Sequence, residues 1–260
     1  MNPLRALVPP LALALCFCLS ATPARAAGWG EVLDTVKSQV PAVTGGQPGG
    51  QSGAHSGSGL TDNEIGQGLK EALAQGTQKA VTALGRADGY FGDQAVRILL
   101  PESLRSLETP LRLAGQGGLL DAFVLSMNRA AEKAVPEAAS ILADAVRAMT
   151  LTDARAILTG PEDSATRYFQ KTSAGKIAER MKPLIAQATQ SVGATKAYKD
   201  LTASPAASAL SQGAGLDLDG YVTQKAVDGL FVMVGKEEKD IRVNPAARST
   251  DLLRKVFGGK

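Results

Sequence analysis

The side chains able to do chemistry in this chain are carboxylates, guanidinium groups and a phenol set among apolar residues. Asn128, Arg129 and Glu132 share a segment with Phe123 and Met127. Lys225 and Asp228 precede the apolar run at 230–234, and Glu237, Glu238 and Arg242 follow it. Arg129 and Glu132 are three residues apart and Glu238 and Arg242 four, so on a helix each pair lies on one face, the second in the favourable order. Two readings follow. In one, these are solvated or structural ion pairs that fix helix register. In the other, they form a polar pocket among helices, joined by Tyr168 of Arg167-Tyr168-Phe169. That pocket would support a carboxylate-based hydrolase, aided by a divalent cation, with Glu132, Glu237 or Glu238 working beside Arg129 and Tyr168. The enzyme reading requires these side chains to converge in one cleft.

Other chemistries are poorly supplied. Triads, thiol dyads and most zinc sites draw on His or Cys, and the chain has one His and two Cys. His55 lies in TGGQPGGQSGAHSGSG, residues 44–59, which reads as a flexible Gly-rich linker without rigid support for a catalytic base. Ser173-Ala174-Gly175-Lys176 fits S-x-x-K, but no K-T-G follows, Ser126-Met127-Asn128 comes on the wrong side of it, and chance supplies the spacing at this Ser and Lys content. Asp217-Leu218-Asp219-Gly220 resembles part of a calcium loop, yet Tyr221, Val222 and Lys225 follow where oxygen ligands are needed, so Asp219 reads as a helix cap. There is no phosphate-binding or dinucleotide fingerprint. The reading is therefore no metal and no cofactor.

The N-terminus changes the charge and thiol count. Arg5, an apolar run over 6–19 and Ala24-Arg25-Ala26 have the layout of a cleaved secretory signal, and the run is too short for a membrane anchor. Cleavage after Ala26 removes Arg5 and Arg25, bringing the formal net charge from +3 to one above neutral. It also removes Cys16 and Cys18, so no disulfide framework remains. Acylation of Cys16 is the competing reading, opposed by Leu15 where a small residue is usual. The expected organisation is a signal peptide over 1–26, a short amphipathic helix over 27–43, the linker over 44–59 and an all-α domain over 60–260, located in the periplasm.

The elements that must position the polar residues read as helices almost throughout. Trp29, Val32, Leu33, Val36 and Val40 form one face of the first, a surface for its own domain, a partner or a membrane. Thr61 and Glu64 form a capping-box signature opening a helix that Gly85 closes in a left-handed conformation. Helices follow from Gly118 to Ala134, through the stripe of Ile141, Leu142, Ala145 and Met149 with Pro136 in its first turn, and from a Thr152 cap to Leu158. Further helices are expected over 162–169, 173–192, 195–201 and 206–210. A long one over 219–241 has its five-residue apolar run buried all round, and Asn244-Pro245 opens a last one ending near Phe257. Residues 86–101 read as an extended apolar loop. The fold class is all-α, an irregular multi-helix bundle with that one loop. No transmembrane segment follows the signal, and mixed charge gives no footprint for nucleic acid.

Several motifs in order carry a resemblance. Ser126-Met127-Asn128-Arg129-Ala130-Ala131-Glu132, Ala156-Ile157-Leu158-Thr159-Gly160, Tyr168-Phe169, Tyr221-Val222-Thr223, Asp228-Gly229-Leu230-Phe231, Glu237-Glu238 and Lys255-Val256-Phe257-Gly258 resemble a bacterial periplasmic family catalogued as a domain of unknown function (domain of unknown function 4197). The resemblance runs from about Leu60 to the C-terminus and implies an exported, largely helical domain. It implies no activity, ligand or catalytic residue. The function expected is a non-enzymatic binding or envelope-maintenance module. Its partner would be a protein or an apolar small molecule held between helices, with peripheral membrane contact through the Trp29 helix as a further possibility.

Overall fold

The structure, a computed structural model, describes residues 61–191, 193–203 and 217–244. The expectations for the signal peptide, the Trp29 helix, the Gly-rich linker, the helix over 206–210 and the last helix lie outside these residues. Among the described residues there is no strand; the chain runs through helices α1 (Asp62–Gly85), α2 (Glu102–Arg105), α3 (Glu108–Leu113), α4 (Gly117–Ala134), a 3₁₀ turn (Val135–Glu137), α5 (Ala138–Ala148), α6 (Leu151–Thr159), α7 (Ser164–Ser191), α8 (Ala194–Ala203) and α9 (Leu218–Val243). The all-α bundle read from the sequence is the observed class. No helix of the described residues is long and apolar enough to cross a membrane.

Local chemistry accounts for the helix ends. The Glu64 amide donates to Thr61 Oγ1 (3.3 Å) and the Thr61 amide to Glu64 Oε2 (2.8 Å), the reciprocal capping box predicted for α1. Three ends differ from expectation. Gly85 stays helical: a Cβ there would stand 3.2 Å from Pro136 Cγ, so its smallness serves close packing on the 3₁₀ turn. The left-handed residue that reverses the chain is Asp88, with φ of 63°. Thr150, not Thr152, caps α6 by a box with Asp153, two residues earlier than expected. Asp217, not Asp219, caps α9 by accepting the Gly220 amide at 2.9 Å; Asp219 instead accepts the Thr189 hydroxyl.

The segments expected over 162–169 and 173–192 are one helix, α7. Nothing between Ser164 and Ser173 breaks it, and Gly175 faces open space, where a helical glycine costs about 1 kcal/mol relative to alanine without ending the helix. Helices α2 and α3 were not anticipated. Each is too short to show a period and buries one residue, Leu104 and Leu111 respectively.

Helix α9 packs most extensively on α7, then on α1, while α4 packs on α7 and α8. Phe123, Met127, Phe169, Ile177, Leu230 and Phe231 meet in the resulting core. The apolar run of α9 is not buried all round. Leu230, Phe231 and Val234 point inward at helical spacing, and Val232 is left 43% exposed. Residues 86–101, as expected, form an irregular loop against the bundle, with Tyr90, Val96, Ile98 and Leu100 buried.

Candidate functional site

The polar residues of α4 hold that loop. Asn128 is fully buried; its Oδ1 accepts the Ile98 amide (2.9 Å), and its Nδ2 donates to the carbonyls of Ile98 (2.8 Å) and Val124 (2.8 Å). One side-chain amide thus plays the part of a neighbouring strand for an extended residue. Glu132, 4% exposed, accepts the amides of Tyr90 and Phe91 on Oε1 (3.1 Å each) and Arg129 Nη1 on Oε2 (2.7 Å). Arg129 reaches on to Asp88 Oδ1 (2.8 Å), the left-handed residue, and its hydrogen bond to Glu132 raises its pKa further, so it is always charged. The left-handed Asp88 is thus tied to α4 through its side chain, and the chain two and three residues further on through the amides of Tyr90 and Phe91.

From the other side, α9 grips the same loop. Tyr90, fully buried, donates its hydroxyl to the Ala226 carbonyl (2.7 Å); burial and the nearby Glu132 charge push its pKa far up, keeping it a donor. Tyr221 donates to the Leu99 carbonyl (2.8 Å), and Lys236 pairs with Asp93 (3.0 Å). Gly229 lets the two surfaces touch, since a Cβ there would lie 2.8 Å from Tyr90 Cε1 and 3.2 Å from Val96 Cβ.

Beside this contact the loop and α9 separate into a cleft of about 250 Å³, whose wall includes Arg97, Leu99, Arg105, Lys225, Asp228 and Val232. The guanidinium carbon of Arg97 stands over the Phe91 ring, 4.1 Å from its centroid. Lys225 and Asp228 are 3.9 Å apart, and Asp228 Oδ1 accepts from the Gln224 side-chain Nε2. A second groove, about 440 Å³, runs between α5 and α7, with Ile141, Ala145 and Ala148 on one side and Tyr168, Ser173 and Lys176 on the other.

The nine residues singled out in the sequence fall at five places. Asn128, Arg129 and Glu132 meet behind the loop; Lys225 and Asp228 lie on its open side. Glu238 and Arg242 meet at the start of α7, where Glu238 accepts the amides of Ala165 (2.9 Å) and Thr166 (2.8 Å), the Thr166 hydroxyl (2.8 Å) and Arg242 Nη2 (2.8 Å). Arg242 also donates to the Ile157 carbonyl. Glu237 points elsewhere, 4.0 Å from Lys79, and burial raises its pKa. Tyr168 borders the second groove, its hydroxyl 3.4 Å from the Ala145 carbonyl.

This arrangement limits what the carboxylates can do. Glu132 and Glu238 are each filled by donors, and the void beside Glu238 is about 10 Å³, room for about one water. Ser173 of the S-x-x-K motif is 1% exposed, its oxygen 3.2 Å from that of Thr172. No group of three or more His, Cys, Asp or Glu gathers among the described residues in a way that could hold a metal. Sequence reasoning missed the cleft residues Arg97, Leu99, Arg105, Tyr221 and Val232. The available signal was the alternation from Val96 to Leu100, which turns Arg97 and Leu99 outward while Val96, Ile98 and Leu100 face in.

Residues 59–258 match the family described as Protein of unknown function (DUF4197). The chain belongs to this family. The match spans the whole bundle, including both walls of the cleft. No curated protein and no solved structure matches the chain.

Proposed function

We propose that this member of the family is an exported, periplasmic binding module that works without catalysis, and that its ligand sits in the cleft between the 86–101 loop and α9. The observation that carries the reading is the double fixation of the loop. Three polar residues of α4 and two tyrosines are committed to holding an irregular segment whose outer face lines a cleft, an arrangement that suits a preorganised binding wall. Export rests on the leader-like first 26 residues. The hydrolase alternative is disfavoured because Glu132, Glu237, Glu238, Arg129 and Tyr168 do not share a cleft and two of the carboxylates have no oxygen to spare. Membrane-surface attachment through the Trp29 segment rests on sequence alone, and liposome co-sedimentation with and without residues 27–43 tests it.

A thermal-shift screen of small ligands tests the binding reading. Hits are expected to lose their effect in Val232→Asp, which puts a charge in the cleft wall, and to keep it in Lys176→Ala at the second groove. Hits insensitive to Val232→Asp, or a substrate panel turned over by the wild type and not by Glu132→Gln, would overturn it. Fractionation of the native host, with the protein released by osmotic shock at a mass lacking the leader, tests the location; retention of the full-length chain in the cytoplasm contradicts it.

A further inference from the structure

We propose that the cleft between the 86–101 loop and α9 binds a small aliphatic monocarboxylate, its carboxylate held by the Arg97 guanidinium and its hydrocarbon laid along Leu99 and Val232. This rests on the reading that the cleft is the ligand site and adds the chemistry of the ligand.

Charge gives the sign. Arg97, Arg105 and Lys225 line the cleft against one carboxylate, Asp228. Arg112, Arg129, Arg147, Arg167 and Arg242 each sit within 3.2 Å of a carboxylate oxygen, whereas Arg97 has no ion-pair partner among the described residues. Its guanidinium carbon stands 4.1 Å from the centre of the Phe91 ring, and among the described residues no acceptor engages its N–H groups, which are available to a ligand. The other two cations are loosely engaged: Lys225 stands 3.9 Å from Asp228, and Arg105 3.7 Å from an exposed Glu102.

The backbone gives the shape of the anion. Phosphate sites are commonly built from successive free amides, yet here the amides of Val96 (3.1 Å) and Arg97 (2.9 Å) donate to the Asp93 carbonyl, and that of Ile98 (2.9 Å) donates to Asn128. With no amide nest, recognition falls to a guanidinium fork, whose planar geometry matches a carboxylate. Asp228 in the wall further disfavours a dianion. Leu99 (55% exposed) and Val232 (43% exposed) give the cleft an apolar lip next to its cations. At about 250 Å³, the space falls just below the range of about 300–1,000 Å³ for drug-sized ligands, which favours a short chain.

The test is calorimetric titration of the mature chain with octanoate, octylamine, 1-octanol, acetate and inorganic phosphate. Octanoate is expected to bind one-to-one, to weaken with added salt, and to bind at least about ten-fold more weakly to Arg97→Gln, the loss for one charge-assisted contact. Leu99→Asp should weaken it similarly, Arg167→Gln should not, and each variant's unchanged melting temperature guards against misfolding. Octanol or octylamine binding as tightly as octanoate, phosphate binding in its place, or indifference to Arg97→Gln overturns the carboxylate assignment. If octanol binds and Val232→Asp abolishes it, the cleft survives as the ligand site while its proposed ligand does not. If none of the probes binds and the ligand screen also fails, both readings fall.

Discussion

Removing the Glu132 side chain should release the loop from α4 and cost a calculable amount of stability. Glu132→Ala leaves the buried Tyr90 amide without an acceptor, about 1–3 kcal/mol, and removes a charged hydrogen bond to Arg129, about 1.5–3 kcal/mol. Two features moderate the sum. Phe91 is half-buried, so water can answer its amide, and Arg129 is 32% exposed and keeps Asp88. The net expectation is a loss of about 3–5 kcal/mol, or about 6–20 °C in melting temperature for a domain of this size. Glu132→Gln keeps an acceptor for both amides and loses the charge, so it should cost about 1–2 kcal/mol. Scanning calorimetry gives the order, and hydrogen exchange at Tyr90 and Phe91 gives the location. Equal losses for the two variants, or both within about 0.5 kcal/mol of wild type, would refute the view of Glu132 as a loop staple, since surface changes away from such features fall in that range.

Three further outcomes follow from the packing. Glu238→Ala should cost about 3–5 kcal/mol in urea unfolding, because it strips an acceptor from two amides, a hydroxyl and Arg242 at the start of α7; Thr166→Val should cost about 1 kcal/mol. Gly229→Ala forces a methyl against Tyr90 and Val96, so a loss of about 1–3 kcal/mol is expected together with weakened binding in the cleft, read by calorimetry. Glu237 titrates above its ordinary value because burial penalises its charge, so the folded state holds its proton more tightly than the unfolded chain does. Its contribution to stability should therefore fall as pH rises from the ordinary carboxylate pKa through the raised folded one; Glu237→Gln should flatten that part of the stability–pH curve, measured by denaturant titration at successive pH values.

Local signals in the sequence translated well where partners are near in the chain. Thr61 with Glu64, Arg129 with Glu132 and Glu238 with Arg242 all meet as their spacing implies, because three- and four-residue separations fix neighbours on a helix. The loop over 86–101 was legible from its turn residues and apolar run. What each polar group touches across the fold was not. Glu132 finds amides 41 and 42 residues away, and Glu238 finds Thr166 at a separation of 72, distances over which no periodicity informs. Cap positions slipped by two residues at Thr150 and Asp217 because a second residue of the same type stands close by, and backbone geometry chooses between them. The cleft itself depends on how the loop crosses α9 at Gly229, a tertiary contact that neither segment announces alone.

That a rigidly held loop and α9 form the ligand site is tested most directly by residue-resolved amide shift mapping of the protein against a mixture of small fragments. Perturbed amides are expected to cluster at 95–99 and 221–232, with the pattern lost in Asn128→Ala. Perturbations clustered on the α5–α7 groove, or unaffected by Asn128→Ala, would contradict it.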